Sequence, residues 1–260
     1  MTKKAKIGSP LFILREDCQK DLMGVIEKLA EIGFDGIEFL GMFGHKPADI
    51  KKKLDSCNMT AIGDHVSFDE FVQHTDKVID ERKAMGCKYI TIGAPPSSGL
   101  PGGSDYPRTI EAIEKIGAAM HQADMTLLYH NHAEELRDIV NGKAVLEHLL
   151  DDISSAALSL EPDLGWMQIG GGNPAYYLEK YRDRCPVVHF KDYAPAGKGF
   201  VFRPTGYGVM DNAGLYAKTL QFDPLSEWVV MDHDDAYGRD SYGDLAMSLE
   251  FFRNLMLVTG

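Results

Sequence analysis

Eight short apolar runs, each followed by a stretch with helical periodicity, divide this chain into near-equal units, and that alternation limits the folds open to it. The runs lie near residues 5–9, 35–40, 60–66, 88–93, 126–132, 157–162, 186–191 and 228–233. The stretches 17–33, 47–58, 67–86, 109–124, 142–152, 173–183, 212–221 and 241–255 read as the helices that follow them. In the first of these, Leu22, Val25, Ile26 and Leu29 recur at helical spacing, and Gly33 is placed to end the helix before DGIEFLG starts the next strand. The period averages about 32 residues, which suits one strand plus one helix. A doubly wound open sheet would give a similar string, but no G-x-G-x-x-G opens a helix after the first strand. The expectation is an α/β chain forming one domain over 1–260, a (β/α)8 TIM barrel, a fold that typically takes about 250 residues.

Composition narrows the function. A formal charge of −12 argues against a surface built to neutralise nucleic-acid phosphates, so no nucleic-acid partner is expected. Cys18, Cys57, Cys87 and Cys185 lie far apart with no C-x-x-C pair, as expected for core thiols in a reducing compartment. The start MTKKAKIGSPLFILRED is basic, but its apolar stretch is short and broken by Pro10. Neither a signal peptide nor a membrane partner is expected, and the expected location is the cytoplasm. An exposed helix such as 241–255 could serve a homo-oligomer, which nothing in the sequence compels.

Four successive runs in the second half each deliver a metal-capable side chain at the C-terminal end: Glu135, Asp163, His189 and Asp232. Parallel strands alternating with helices put all such ends on one face, so groups about thirty residues apart in sequence converge. Alternation along a strand sharpens the pattern, because His189 shares a face with Lys191, Glu161 with Asp163, His130 with His132 and Val230 with Asp232. Three carboxylates and an imidazole suit a divalent cation, with Mn²⁺ expected and Mg²⁺, Co²⁺ or Zn²⁺ as alternatives.

The stretches YHNHAEEL, DLGW followed by Ile-Gly-Gly-Gly-Asn-Pro, VVHFKDY, TGYGVMD and WVVMDHDD resemble the xylose isomerase-like TIM-barrel superfamily, the sugar phosphate isomerase/epimerase group. The resemblance covers nearly the whole chain. It implies a metal-dependent isomerase or epimerase, with an inosose-dehydratase-like lyase as the alternative and a non-catalytic sugar-binding protein as a third reading. It also implies that Glu135, Asp163, His189 and the acid of the eighth strand are the metal ligands. Two positions depart from the family pattern: Asp232 stands where relatives carry Glu, and Tyr207 stands between glycines where relatives often carry Glu. The shorter Asp232 would bring its free oxygen less well to a substrate carbon, which favours single-base chemistry over two-base epimerisation.

A divalent ion at such a site acidifies a C–H beside a carbonyl of a sugar, keto-sugar or hydroxy-carbonyl compound. Glu135 is the expected base, with Asp232 and Lys191 completing the catalytic set; Lys191 would neutralise developing charge or bond a hydroxyl. Glu38, His65, His130, His132, Glu161 and Trp166 are expected to contact substrate, Trp166 by offering an apolar face to a sugar ring. The Gly/Pro/Ser-rich segment 97–107 reads as a lid or an ordinary loop.

Overall fold

A computed structural model describes residues 5–222 and 226–259; the basic start, Met1 to Lys4, lies outside the described residues. Eight parallel strands form the inner wall: β1 (Lys6–Pro10), β2 (Gly36–Phe39), β3 (Thr60–His65), β4 (Tyr89–Ile92), β5 (Thr126–His130), β6 (Ser159–Glu161), β7 (Val187–Phe190) and β8 (Trp228–Met231). Each pairs with its sequence neighbour except at β6 and β7, while β8 pairs with β1. An isolated parallel bridge between Asp163 and His189, with His189 N–H donating to Pro162 O at 2.9 Å, closes the remaining gap. The result is the expected (β/α)8 barrel with helices outside.

Side-chain alternation fills two layers. Ile37, Ile90, Leu127, Leu160, Val188 and Val229 face the helices and belong to the large outer core. Ile62, Tyr89, Leu128, Val187, Trp228 and Val230 form a separate cluster inside the barrel. Trp228 fits there because β2 opens with Gly36: a Cβ at that position would stand 2.6 Å from the indole ring. This plug closes the lower barrel, so the polar residues at the upper strand ends stand on an apolar floor.

The loops differ from expectation in three places. β5 stops at His130, and Glu135 falls in a short helix, Glu134–Arg137, instead of extending the strand. The stretch expected as one helix over 67–86 is two, Phe68–Gln73 and Thr75–Met85, broken at His74. After β7 the chain forms an antiparallel hairpin, Asp192–Ala196 with Gly199–Arg203, before the helix Asn212–Thr219. Among the described residues no helix is long and apolar enough to cross a membrane.

Candidate active site

The same alternation that buries the plug brings Glu38, His65, His130, Glu161 and His189 to the top of the barrel interior, one from each of five strands. A register shift between Ile37 and Glu38 against β3 lets both Ile62 and His65 face inward, although they are three residues apart. Asp163, Lys191 and Asp232 follow directly after β6, β7 and β8. Above them lies a cavity of about 160 Å³.

His130 and His189 stand between two clusters of acids and present a different ring nitrogen to each. On one side, His65 Nε2 lies 3.1 Å from both Glu38 Oε2 and Glu161 Oε2, and His130 Nδ1 lies 3.1 Å from Glu161 Oε2. His189 Nε2 is 2.9 Å from Glu38 Oε2 and 3.5 Å from Glu161 Oε2. Thr91 Oγ1 donates to the other oxygen of Glu161 at 3.1 Å. On the opposite side, His189 Nδ1 is bonded to Asp232 Oδ2 at 3.2 Å, and His130 Nε2 faces Asp163 Oδ2 at 3.7 Å. There the Lys191 ammonium already sits 2.9 Å from Asp163 Oδ2, 3.0 Å from Asp232 Oδ2 and 2.7 Å from Asp234 Oδ1.

Either side has the chemistry of a divalent-metal seat: His65, His130, Glu161 and His189 form one convergent set, and His130, Asp163, His189 and Asp232 the other. They differ in what is satisfied. Both oxygens of Glu38, His65 Nε2 and His189 Nε2 on the first side, and Asp163 Oδ2 on the second, are buried without a hydrogen bond of proper geometry; Glu38 Oε2 lies 3.1 Å from His65 Nε2 and 2.9 Å from His189 Nε2, whereas Asp163 Oδ2 has the Lys191 ammonium at 2.9 Å. Donor atoms packed that closely with unsuitable angles fit a shared cation better than they fit each other. With Nδ1 of His189 donating to Asp232, a cation that displaced the proton from Nε2 would be met by that nitrogen on the Glu161 side, the usual carboxylate–histidine–metal order.

The protonation states carry the same strain. Burial would lower the pKa of His65, but the carboxylates of Glu38 and Glu161 outweigh it and push it up to about 10. Burial likewise opposes charge on His189, yet the same two glutamates hold it well above the ordinary histidine range. His130 is lowered by burial. Asp163 is raised to about 7, by burial against the pull of Lys191 and with Asp232 adding repulsion. Burial lowers His132 too, with His130 beside it.

Glu135 stands apart from both sets. Its Oε1 accepts from the Tyr129 hydroxyl at 2.9 Å and its Oε2 from the His132 backbone N–H at 2.9 Å, and it does not line the cavity. Glu135, expected as ligand and base, thus belongs to neither convergent set: the strand ends at His130, and Glu135 lies in the short helix that follows. The other three expected ligands, Asp163, His189 and Asp232, do come together, joined by His130. Lys191 lies among the acids, and Glu38, His65, His130, His132 and Trp166 line the cavity. Glu161 sits beneath it, fully buried. The segment 97–107 contributes no residue to the cavity wall.

Several supporting residues escaped the sequence reading. Asn131 clamps the ends of β5 and β6, accepting from Asp163 N–H at 3.1 Å and donating to Asp163 O at 3.3 Å; its place inside H-N-H was the available signal. Asp192 accepts from the backbone N–H groups of Gly206, Gly208 and Met210 and from Asn212 Nδ2, all within 3.1 Å. That cradle ties down the TGYGVMD loop and the root of the hairpin. Phe200 and Phe202 of the hairpin pack edge-on against Trp166, at 5.9 and 5.4 Å between ring centroids. Asp163 Oδ1 caps the helix Leu164–Ile169 through Trp166 N–H, which leaves Oδ2 for Lys191.

Residues 26–255 match the family model described as a xylose isomerase-like TIM barrel. The chain belongs to that family. Among curated relatives, an inosose dehydratase of Bacillus thuringiensis (strain Al Hakam) is 26% identical over 192 residues, covering 64% of this chain and 62% of that enzyme's length. A solved sugar phosphate isomerase/epimerase from Parabacteroides distasonis superposes with a TM-score of 0.77 at 20% identity, over 96% of this chain and 98% of the other. The structure of the IolI protein with a bound zinc atom gives a TM-score of 0.74 at 12% identity, over 98% and 99%. At these identities the structural likenesses speak to fold, and the proteins similar to this chain carry both dehydratase and isomerase/epimerase names.

Proposed function

We propose that this chain is a divalent-metal-dependent enzyme that removes the proton beside the carbonyl of a small polyhydroxylated compound and returns it to the neighbouring carbon, as an isomerase, or to the opposite face of the same carbon, as an epimerase. The observation that carries this reading is the group of buried, unpartnered donor atoms on Glu38, His65 and His189 at the barrel mouth. His65, His130, Glu161 and His189 would hold the metal, with Glu38 beside them and Asp232 orienting His189. Manganese and zinc both suit this mixed nitrogen and oxygen set, and the zinc in the IolI neighbour is in keeping with it. A bound divalent cation supplies Lewis acidity to the substrate carbonyl.

His132 is the base in this reading. Burial keeps its imidazole neutral near neutral pH, its ring lines the cavity, and its backbone is pinned by Glu135. The Lys191 ammonium sits within 3.0 Å of carboxylate oxygens of Asp163, Asp232 and Asp234 and offsets acidic charge behind the reacting centre. Solvent-deuterium incorporation into a panel of ketoses, inososes and hydroxypyruvate tests the reading, with metal content measured alongside. His132→Gln should keep the metal and lose exchange, and exchange at the wild-type rate in that variant would refute the base. The curated dehydratase relatives favour a second outcome from the same abstraction, loss of water from the adjacent carbon. A product lighter by one water in mass spectrometry would identify it.

A further inference from the structure

The Trp166 wall of the cavity is held from behind. Trp166 lines the cavity, and Phe202 of the hairpin packs edge-on against it at 5.4 Å, with the Lys191 ammonium 5.2 Å from the Phe202 ring centre. The hairpin is a sheet of two strands, so the strand Gly199–Arg203 is paired along one edge. On its other edge the Phe202 N–H donates to Tyr237 Oη at 3.3 Å, and Phe202 O accepts from Arg239 Nη2 at 3.3 Å. Two side chains thus stand where a third strand would pair. Both belong to the loop between β8 and the helix Ser241–Thr259, and that loop is shaped for the grip. Tyr237 adopts a φ of +50°, in the left-handed region that bulky side chains rarely take, and Gly238 follows at +81°. Asp235 Oδ1 holds the turn by accepting from Tyr237 N–H at 2.6 Å. The Tyr237 ring is exposed, so core packing does not put it there. Arg239 is fixed by the buried Asp244, to which its Nε and Nη2 donate at 3.1 and 2.7 Å. The loop begins on the cavity floor, with Asp232 on His189 and Asp234 on Lys191, so residues 232–239 tie floor to wall.

We propose that Tyr237 and Arg239 are positioning residues of the substrate site: by gripping both polar groups of the Phe202 backbone, they hold its ring against Trp166 and so fix the wall on which substrate docks. Neither side chain lines the cavity, so each acts through Phe202. An edge strand released on one side opens more often, and a site competent only when closed binds more weakly in proportion to its closed fraction. Substrate affinity therefore depends on the grip, while metal binding and proton transfer do not. The effect on turnover rests on the proton-abstraction reading above; the state of the wall does not.

The test uses Tyr237→Phe, Arg239→Lys and the double variant in the full chain. Tyr237→Phe removes only the hydroxyl, and Arg239→Lys keeps a cation for Asp244 but loses the fork that also reaches Phe202 O, so the buried acid is never left unpaired. Acrylamide quenching of tryptophan emission reads the wall directly, because Trp228, the other of the two tryptophans, is buried in the plug. The quenching constant should rise about twofold or more in the double variant, and metal content should match the wild type. With any of the ketoses, inososes or hydroxypyruvate that exchanges solvent deuterium, KM should rise about fivefold in each single variant while kcat stays within about twofold. Wild-type quenching in the double variant overturns the proposal, even if that variant is less stable in denaturant, because the grip would then brace the fold without setting the wall. A fall in kcat at unchanged KM, or a loss of metal, also overturns it by placing the effect on the floor. Tyr237→Phe, altered only at an exposed ring, decides the question by quenching if the double variant does not fold. Failure of every compound to exchange deuterium counts against proton abstraction and leaves the quenching result to judge the grip.

Discussion

A single imidazole shows how much of this site depends on which nitrogen faces which neighbour. His189 spends Nδ1 on Asp232 and leaves Nε2 among Glu38 and Glu161. An Asp at position 232, one methylene shorter than the family's Glu, is well placed to orient that ring, while Glu161 and His65 supply donors on the far side. We expect Glu161→Gln to lower metal affinity about tenfold or more by a competition assay. Glu135→Gln should bind metal as the wild type does and lose at most about 1 kcal/mol of stability, since the Tyr129 hydroxyl can turn to accept from the new amide. Lys191→Met strands three carboxylates around an apolar side chain. Its expected cost is about 3–5 kcal/mol in denaturant unfolding, and a variant as stable as the parent would show that the ammonium is not needed to hold those acids together. The cysteines follow from burial: the Cys18 thiol is pushed up to about 12 by burial and by Asp17, and burial raises Cys87 and Cys185 as well. A raised thiol pKa means less thiolate, so at pH 8 these three should resist iodoacetamide in the native protein. Cys57, half-buried, should react first, as peptide mass mapping would show.

At the scale of elements, what was legible was the alternation, because period-2 apolar runs and 3.6-residue stripes are local signals. All eight strands fall where the apolar runs lie, and the His189/Lys191 and Glu161/Asp163 pairings follow from alternation along single strands. The ends of strands were harder. Whether the chain leaves β5 at His130 or runs on to His132 depends on the clamp from Asn131 to Asp163, thirty-two residues away. Nothing near Glu135 in sequence announces it. The hairpin after β7 was equally invisible, since its root is set by Asp192 gathering N–H groups from a loop fourteen to eighteen residues further on. Asp192→Asn replaces an acceptor pair with one acceptor and one donor against donors alone. We expect it to destabilise the protein by about 1–3 kcal/mol and to free the hairpin, which faster hydrogen exchange over 192–212 would reveal.

For the whole molecule, the barrel interior divides into an apolar plug below and a charged chamber above, and each requires the other. Gly36→Ala should cost about 1–3 kcal/mol in thermal or denaturant unfolding, because a methyl there meets both the Trp228 ring and the Thr60 carbonyl at 2.8 Å or less. The sequence by itself determined the (β/α)8 barrel and the convergence of acids and histidines at one end, because both follow from periodicity and from the fixed direction of parallel strands. Only the tertiary structure decided that Glu135 bonds to Tyr129 and the His132 backbone, that His130 and His189 are shared between two acidic clusters, and that Lys191 fills one of them. Those outcomes depend on distances of about 3 Å between side chains from different strands, and such distances are set by barrel closure and loop packing, which no local pattern encodes.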